Sequence, residues 1–328
     1  MENTKAKKKI KVLIIILSIF IILSGAVVFY YFGKTYEFYN YSQKEIEIPG
    51  LSDGFTPQGM CIIDNTNSYL ISGYMKDTSL NSRIYYVNKQ TGDVKYFYIN
   101  TLSTNLNKGH FCGIAMQGQT VWLVTDGYLF CFDLNDFITY ENQHTINAKS
   151  AFEVGINTDF CYASNNILYI GEFYRAGNYE VDQSHYVSIN ENETNHAIAF
   201  AFNIDENCLH GIQSTSASFA ISVPDQAQGI CITNSGKVVV STSYSIPDSK
   251  IFVYDAPILN GEIALGLQTL PLYVLCSNNL NKTIIAPSMS EGLDYESGRV
   301  NVLFESACNK YKFVTRTREK YVLSFELN

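Results

Sequence analysis

One short unit recurs five times along this chain and restricts its fold more than any other feature. The unit is a residue, then usually glycine, then an apolar alternation, a turn and a second strand. It reads Gln58-Gly59-Met60-Cys61-Ile62 before residues 69–72, Cys112-Gly113-Ile114-Ala115-Met116 before 121–124, and Thr158-Asp159-Phe160-Cys161-Tyr162 before 167–170. It returns as Gln228-Gly229-Ile230-Cys231-Ile232 before 238–241 and as Glu291-Gly292-Leu293-Asp294-Tyr295 before 300–303. A third strand follows in four of the units, and an outer strand ending at Pro49, Pro224 or Pro287 leads into three of them. Proline suits such an end because it cannot donate to the ladder. Period-2 strands repeated at this spacing, with no long helical period after residue 32, describe a five-bladed β-propeller. A two-sheet sandwich fits the strands but not the fivefold register. The outer strand near 44–48 has no inner strands ahead of it, and the unit 291–328 stops at its third strand. The N-terminal strand is therefore expected to complete the C-terminal blade and remove an open sheet edge.

Ahead of the repeats, residues 12–32 form a run of 21 residues without a charge. At ~1.5 Å per residue it spans a bilayer core of about 30 Å. Lys5, Lys7, Lys8, Lys9 and Lys11 precede it, so the positive-inside rule places the N-terminus in the cytoplasm and the body outside. Ser24-Gly25-Ala26 resembles a cleavage site of a signal peptide, but six apolar positions follow it, which favours a retained anchor with Tyr30 and Tyr31 at the interface. The expected organisation is a basic tail over 1–11, a membrane anchor over 12–32 and a propeller over 35–328. The expected location is a single pass in the plasma membrane with the C-terminal domain extracellular. Residues 1–34 carry a net +5, which leaves −13 for the rest of a chain whose total is −8. Such an acidic body repels a phosphate backbone, so nucleic acid is excluded as a partner.

The register also interprets the eight cysteines. Cys61, Cys161 and Cys231 hold one position in three blades, where a small apolar side chain packs between blades. Buried free thiols are expected rather than a disulfide framework, and no Cys/His spacing points to zinc.

Antiparallel inner and second strands bring the start of one and the end of the other to the same mouth of the ring. Gln58, Asp159, Gln228 and Glu291 are the leading candidates for ligand binding there, with Asp126, Glu172 and Arg175 as further candidates. Tyr74, Tyr244 and Glu305 end second strands at the same mouth. Long loops over 174–195 and 307–319 rim it, contributing Tyr179, His185, Lys310 and Tyr311; long loops on a rigid scaffold often carry binding residues. Convergent carboxylates could hold Ca²⁺ with amide oxygens, act as an acid–base pair, or be solvated and paired with nearby cations. His110, two residues before Cys112, reads as a surface residue rather than a base. Asp64-Asn65-Thr66-Asn67 reads as a strand turn. No nucleophile elbow, Walker loop or dinucleotide fingerprint occurs, and no catalytic residue is assigned.

The first blade, with Phe55-Thr56-Pro57-Gln58-Gly59-Met60, Ser82-Arg83-Ile84 and Thr91-Gly92, resembles the start of the propeller-type glutamine cyclotransferases. The resemblance covers roughly 40 residues and implies an exported five-bladed enzyme closed through an N-terminal strand. Pro57 is inserted into the family's opening string, and Cys112 stands where the family has an acidic residue. More broadly the chain looks like propellers with gluconolactonase-like and NHL-like repeats, a group whose activities vary. The expected function is a membrane-anchored module that binds a small molecule, glycan or protein at the propeller mouth. The alternative is an exported enzyme, either a metal-assisted hydrolase or lyase, or a cyclotransferase.

Overall fold

A computed structural model of the chain describes residues 2–63, 66–101, 106–266 and 268–327, without the side chains of residues 2–8, 30–33 and 106. Asp64 and Asn65 of the expected turn, and the side chains of Lys5, Lys7, Lys8, Tyr30 and Tyr31, lie outside the described residues. The body is a five-bladed β-propeller. Blade I is Phe55–Ile63, Ser68–Met75, Arg83–Asn88 and Val94–Asn100, and blade II is Gly113–Gln117, Thr120–Thr125, Tyr128–Asp133 and Ser150–Glu153. Blade III is Phe160–Ser164, Ile167–Gly171, Ala197–Asn203 and Phe219–Val223. Blade IV is Ala227–Ile232, Val238–Thr242, Ser249–Tyr254 and Leu280–Ala286. Blade V is Ser290–Glu296, Arg299–Phe304 and Tyr321–Glu326, completed by Ser42–Glu47.

The ring closes as the repeat count requires. Ser42 pairs with Phe325, Lys44 with Leu323 and Glu47 with Tyr321 in an antiparallel ladder. The Ile48 N–H extends it to the Lys320 carbonyl at 2.8 Å. Two excursions between third and outer strands strap the preceding blade. Thr145–Asn147 runs parallel to the outer strand of blade I, and the hairpin Ile258–Leu265/Gln268–Val274 runs along the outer strand of blade III.

The apolar core is layered between blades rather than gathered at one centre. Phe97, Phe111, Val121 and Phe137 belong to the layer between blades I and II, and Trp122, Leu168, Ile170 and Phe202 to the next. Where inner strands of neighbouring blades meet, the repeated glycine has a steric cause. A Cβ on Gly59 would lie 2.7 Å from the Gly113 Cα, and one on Gly292 would lie 2.9 Å from the Met60 nitrogen. The motif thus permits close backbone approach around the channel. All eight cysteines are free, and Cys61, Cys161 and Cys231 are buried within the layers.

Ahead of the ring, the helix Glu2–Phe32 contains one stretch, Lys9–Phe29, long and apolar enough to cross a membrane; a signal sequence near an N-terminus meets the same criterion. None of that stretch is buried against the propeller. A turn at Gly33–Thr35 and a short helix, Tyr36–Tyr41, then dock the chain on blades IV and V. Phe38 is the wedge: its ring meets those of Phe304 and Phe325 edge-on, at 6.2 and 5.6 Å between centroids.

Candidate functional site

At the mouth where inner strands begin, a cavity of about 290 Å³ is lined by Gln58, Asp159, Gln228, Glu291 and Glu305, with Tyr74, Phe173, Tyr179 and Tyr244 among its walls. All four leading candidates from the repeat register therefore share one space. Blade V supplies the floor. Glu291 is the second residue of its inner strand and Glu305 follows the end of its second strand, held there by an N–H donated to the Met289 carbonyl at 3.0 Å. Antiparallel pairing of Ser290 with Phe304 sets the two carboxyls side by side.

Both groups are buried, at 3 and 7 % exposure, and they hydrogen-bond to each other. Burial, and then the Glu305 charge, hold the Glu291 carboxyl well above the usual carboxylate range. Burial raises Glu305 to about 7, opposed by Lys310 and by hydrogen bonds from Glu291, Gln58 and Tyr311. The Gln58 amide donates to Glu305 Oε2 at 2.9 Å. The two buried carboxyls accordingly share a proton across their contact.

The 307–319 loop folds back over this floor through turns closed from Cys308 to Glu305 and from Tyr311 to Cys308. It brings the Lys310 ammonium onto the Tyr74 hydroxyl, 4.6 Å from the Tyr74 ring centroid and 5.1 Å from that of Tyr311. On the blade III side, Asp159 stands in the glycine position of the repeat and accepts the Phe173 N–H at 2.8 Å. Burial first, with Glu172 and Asp126 adding repulsion, raises Asp159 to about 7. Phe173 and Tyr179 meet edge-on at 5.3 Å between centroids, and Tyr244 stands 6.3 Å from Phe173.

The further candidates are placed differently, and none lines the cavity. Glu172 is 1 % exposed and turns into the body of blade III, where His185 Nδ1 lies 3.0 Å from its carboxylate and the Ile198 N–H reaches it at 3.3 Å. Strand alternation accounts for this: with Glu172 facing inward, the next residue, Phe173, takes the cavity wall. Arg175 stacks its guanidinium 3.9 Å from the centroid of Tyr244, behind the wall. Asp126 is exposed, in a left-handed turn at φ 48°. His110 does line the cavity, its ring 4.3 Å from that of Tyr74 and its Nδ1 3.0 Å from Cys112 Sγ. Phe173, Met289, Ile246 and Val314 line the cavity too, and none carries a signal in the repeat, since they follow strand ends or occupy irregular loops.

Among the described residues, no three His, Cys, Asp or Glu side chains are grouped so as to hold a metal ion. The floor offers two carboxyls and one amide, against the six to eight oxygens that Ca²⁺ takes.

No protein-family model matches the chain, and no curated protein sequence matches it. Solved structures similar to it include a glutaminyl cyclase of Myxococcus xanthus, at 10 % identity and a TM-score of 0.44, over 88 % of this chain and 95 % of that one. They include a PQQ-bound aldose sugar dehydrogenase of Streptomyces coelicolor, at 10 % identity and 0.43, over 87 % of this chain and 97 % of that one. A chain of a nidogen/laminin complex is similar at 7 % identity and 0.40, over 76 and 73 %. These likenesses carry no argument about chemistry.

Proposed function

We propose that this chain is a membrane-anchored propeller, displayed outside the cytoplasm, whose mouth cavity binds a small ligand presenting hydroxyl or ammonium donors. The observation that carries the reading is the convergence of Gln58, Asp159, Gln228, Glu291 and Glu305 in one cavity walled by Tyr74, Phe173, Tyr179 and Tyr244. Carboxyl and amide oxygens accept from such donors. Aromatic faces pack against the apolar face of a sugar ring or attract a cation. A volume of about 290 Å³ suits a small molecule rather than a protein segment. The five lysines ahead of an uncharged span support the topology.

Acid–base catalysis is the second reading, favoured by one observation: two buried carboxyls, Glu291 and Glu305, meet on the floor of the cavity, both raised by burial. The cyclotransferase form of that reading has to draw its carboxyls from blade V. At the family's acidic position in blade II, Cys112 is a buried thiol that donates to the His110 carbonyl at 2.7 Å.

Titration calorimetry of the full chain in detergent, with a panel of monosaccharides and small primary amines, tests the binding reading. Saturable binding of one class, weakened at least tenfold by Glu305→Gln, is expected. Absence of binding across the panel, or affinity untouched by that substitution, refutes it. Turnover of a bound compound would move the site to the second reading. Protease treatment of intact cells tests the topology: degradation of the body is expected, and full protection places it inside.

A further inference from the structure

The end of the apolar helix lies beside the propeller mouth, and the loops around it differ in chemistry from the rest of the surface. Lys34 is two residues beyond Phe32, a separation of at most ~7 Å of chain. The Gly33–Thr35 turn packs on Leu280–Ala286, the outer strand of blade IV, and Thr35 is buried. Lys34 shares a surface cavity with Ile246, Asp248, Ile285 and Arg316. Ile246 and Asp248 belong to the loop between second and third strands of blade IV, and Arg316 to the corresponding loop of blade V. Both loops stand on the mouth face, and an ion pair between Arg316 and Asp248 ties them together. Ile246 also lines the ligand cavity, as does Val314.

This rim exposes large apolar side chains: Phe313 is 91 % exposed, Ile246 48 % and Val314 46 %. Lys310, Lys312, Arg316 and Arg318 lie within nine residues of sequence about Phe313 and Val314, on a body whose net charge is −13, and Lys312 and Phe313 share a surface cavity with Asp53, Asp77 and Lys76. The Lys312 ammonium lies 5.6 Å from the Phe313 ring centroid. An exposed aromatic among basic side chains matches the interfacial layer of a bilayer, where rings sit at headgroup level and cations meet anionic lipid. A headgroup layer about 5–8 Å deep on each side of the hydrocarbon core reaches as far as two residues of chain can extend.

We infer that the rim formed by the Ile246 loop and the 307–319 loop is a second membrane contact, seated on anionic headgroups, so that the ligand cavity opens towards the bilayer. This rests on the reading of residues 12–32 as a retained anchor. Ligand would then enter from the headgroup layer, and Phe313 and Val314 would fix the tilt of the ring.

The test uses the full chain in vesicles of acyl-brominated phosphatidylcholine with phosphatidylglycerol. Trp122 is the sole native tryptophan and is buried, so added tryptophans report clearly. Phe313→Trp places a reporter on the rim. Leu209→Trp, at a position 73 % exposed in the loop before the outer strand of blade III, reports the opposite face. The expected result is several-fold stronger bromine quenching, with a blue-shifted spectrum, at 313 than at 209. Protein that floats with vesicles after an alkaline carbonate wash, yet shows equal quenching at both positions, overturns the inference and leaves the anchor standing. Protein that the wash strips from the vesicles overturns the anchor, and the inference with it.

Discussion

Replacing Glu291 by glutamine removes the proton that the folded site holds and the unfolded chain releases. In the unfolded chain both floor carboxyls ionise near 4.5. In the fold, burial and the neighbouring Glu305 keep Glu291 protonated well above that value. A carboxyl raised in this way stabilises the fold fully below its unfolded pKa, and that contribution is lost as pH rises through the folded pKa. One extra proton on the folded state makes stability fall by about 1.4 kcal/mol per pH unit. The amide that the Glu291→Gln substitution introduces can still donate to Glu305, so the floor keeps its hydrogen bond while losing the titration. The stability difference between Glu291→Gln and the parent should therefore shift in favour of the variant as pH rises above 5, by at most about 1.4 kcal/mol per unit, until Glu291 ionises in the fold. Urea denaturation of both proteins at unit pH intervals, followed by Trp122 fluorescence, measures it. Glu305→Gln is the companion variant: because burial raises Glu305 to about 7, it should also gain on the parent, but only between pH 5 and about 7, and the loss of the charge that Lys310, Gln58 and Tyr311 face offsets part of that gain. Parallel pH curves for Glu291→Gln and the parent would refute the protonated-Glu291 assignment. A Glu305→Gln curve that keeps diverging from the parent to higher pH than the Glu291→Gln curve would place the higher-pKa proton on Glu305.

Other outcomes follow from the same structure. Asp159→Asn keeps an acceptor for the Phe173 N–H and should flatten part of the stability loss between pH 5 and 7, since Asp159 is raised to about 7. Its place on a wetted wall reduces the effect to roughly half of 1.4 kcal/mol per pH unit, and an unchanged slope refutes the shift. Gly59→Ala should cost about 3 kcal/mol in denaturant unfolding, because its Cβ meets backbone of blade II at 2.7 Å; a loss below about 1 kcal/mol would mean that the inner ring yields. A chain starting at Pro49 lacks the closing strand and should melt well below one starting at Lys34, whereas equal melting would contradict the ladder with Tyr321–Glu326. Thiol titration in denaturant without reductant should count eight free cysteines, and fewer would mean disulfides.

The elements legible in the sequence are those whose residues answer to a repeated local constraint. The glycine after Gln58, Cys112, Gln228 and Glu291 marks backbone approach around the channel, and the Cβ distances at Gly59 and Gly292 show the cause. The same register carried Gln58, Asp159, Gln228 and Glu291 to one cavity, because three of them precede the repeated glycine of an inner strand and Asp159 takes the glycine's place. Glu172 shares that logic only up to its own strand end. The pleat there decides between facing His185 and facing the cavity, and a period of two cannot fix the phase of the last residue once the ladder stops. The straps at Thr145–Asn147 and 258–274 were illegible for a related reason: each pairs with the blade before it in sequence, so no local pattern names its partner.

The aromatic wall and the rim lie beyond the repeat altogether. Tyr179, Tyr311 and Phe313 belong to loops whose lengths differ from blade to blade, so the scaffold repeats while its mouth does not. That division is the physical basis for separating fold from function here. The inner strands fix where a carboxyl can stand to within one residue. Which carboxyls share a proton, which ring meets Lys310 and which loop reaches back to Lys34 are settled by side chains the fivefold register leaves free. Chemistry in this protein should therefore follow substitutions in the 307–319 loop and at the blade V floor more closely than equivalent changes at repeat positions around the ring.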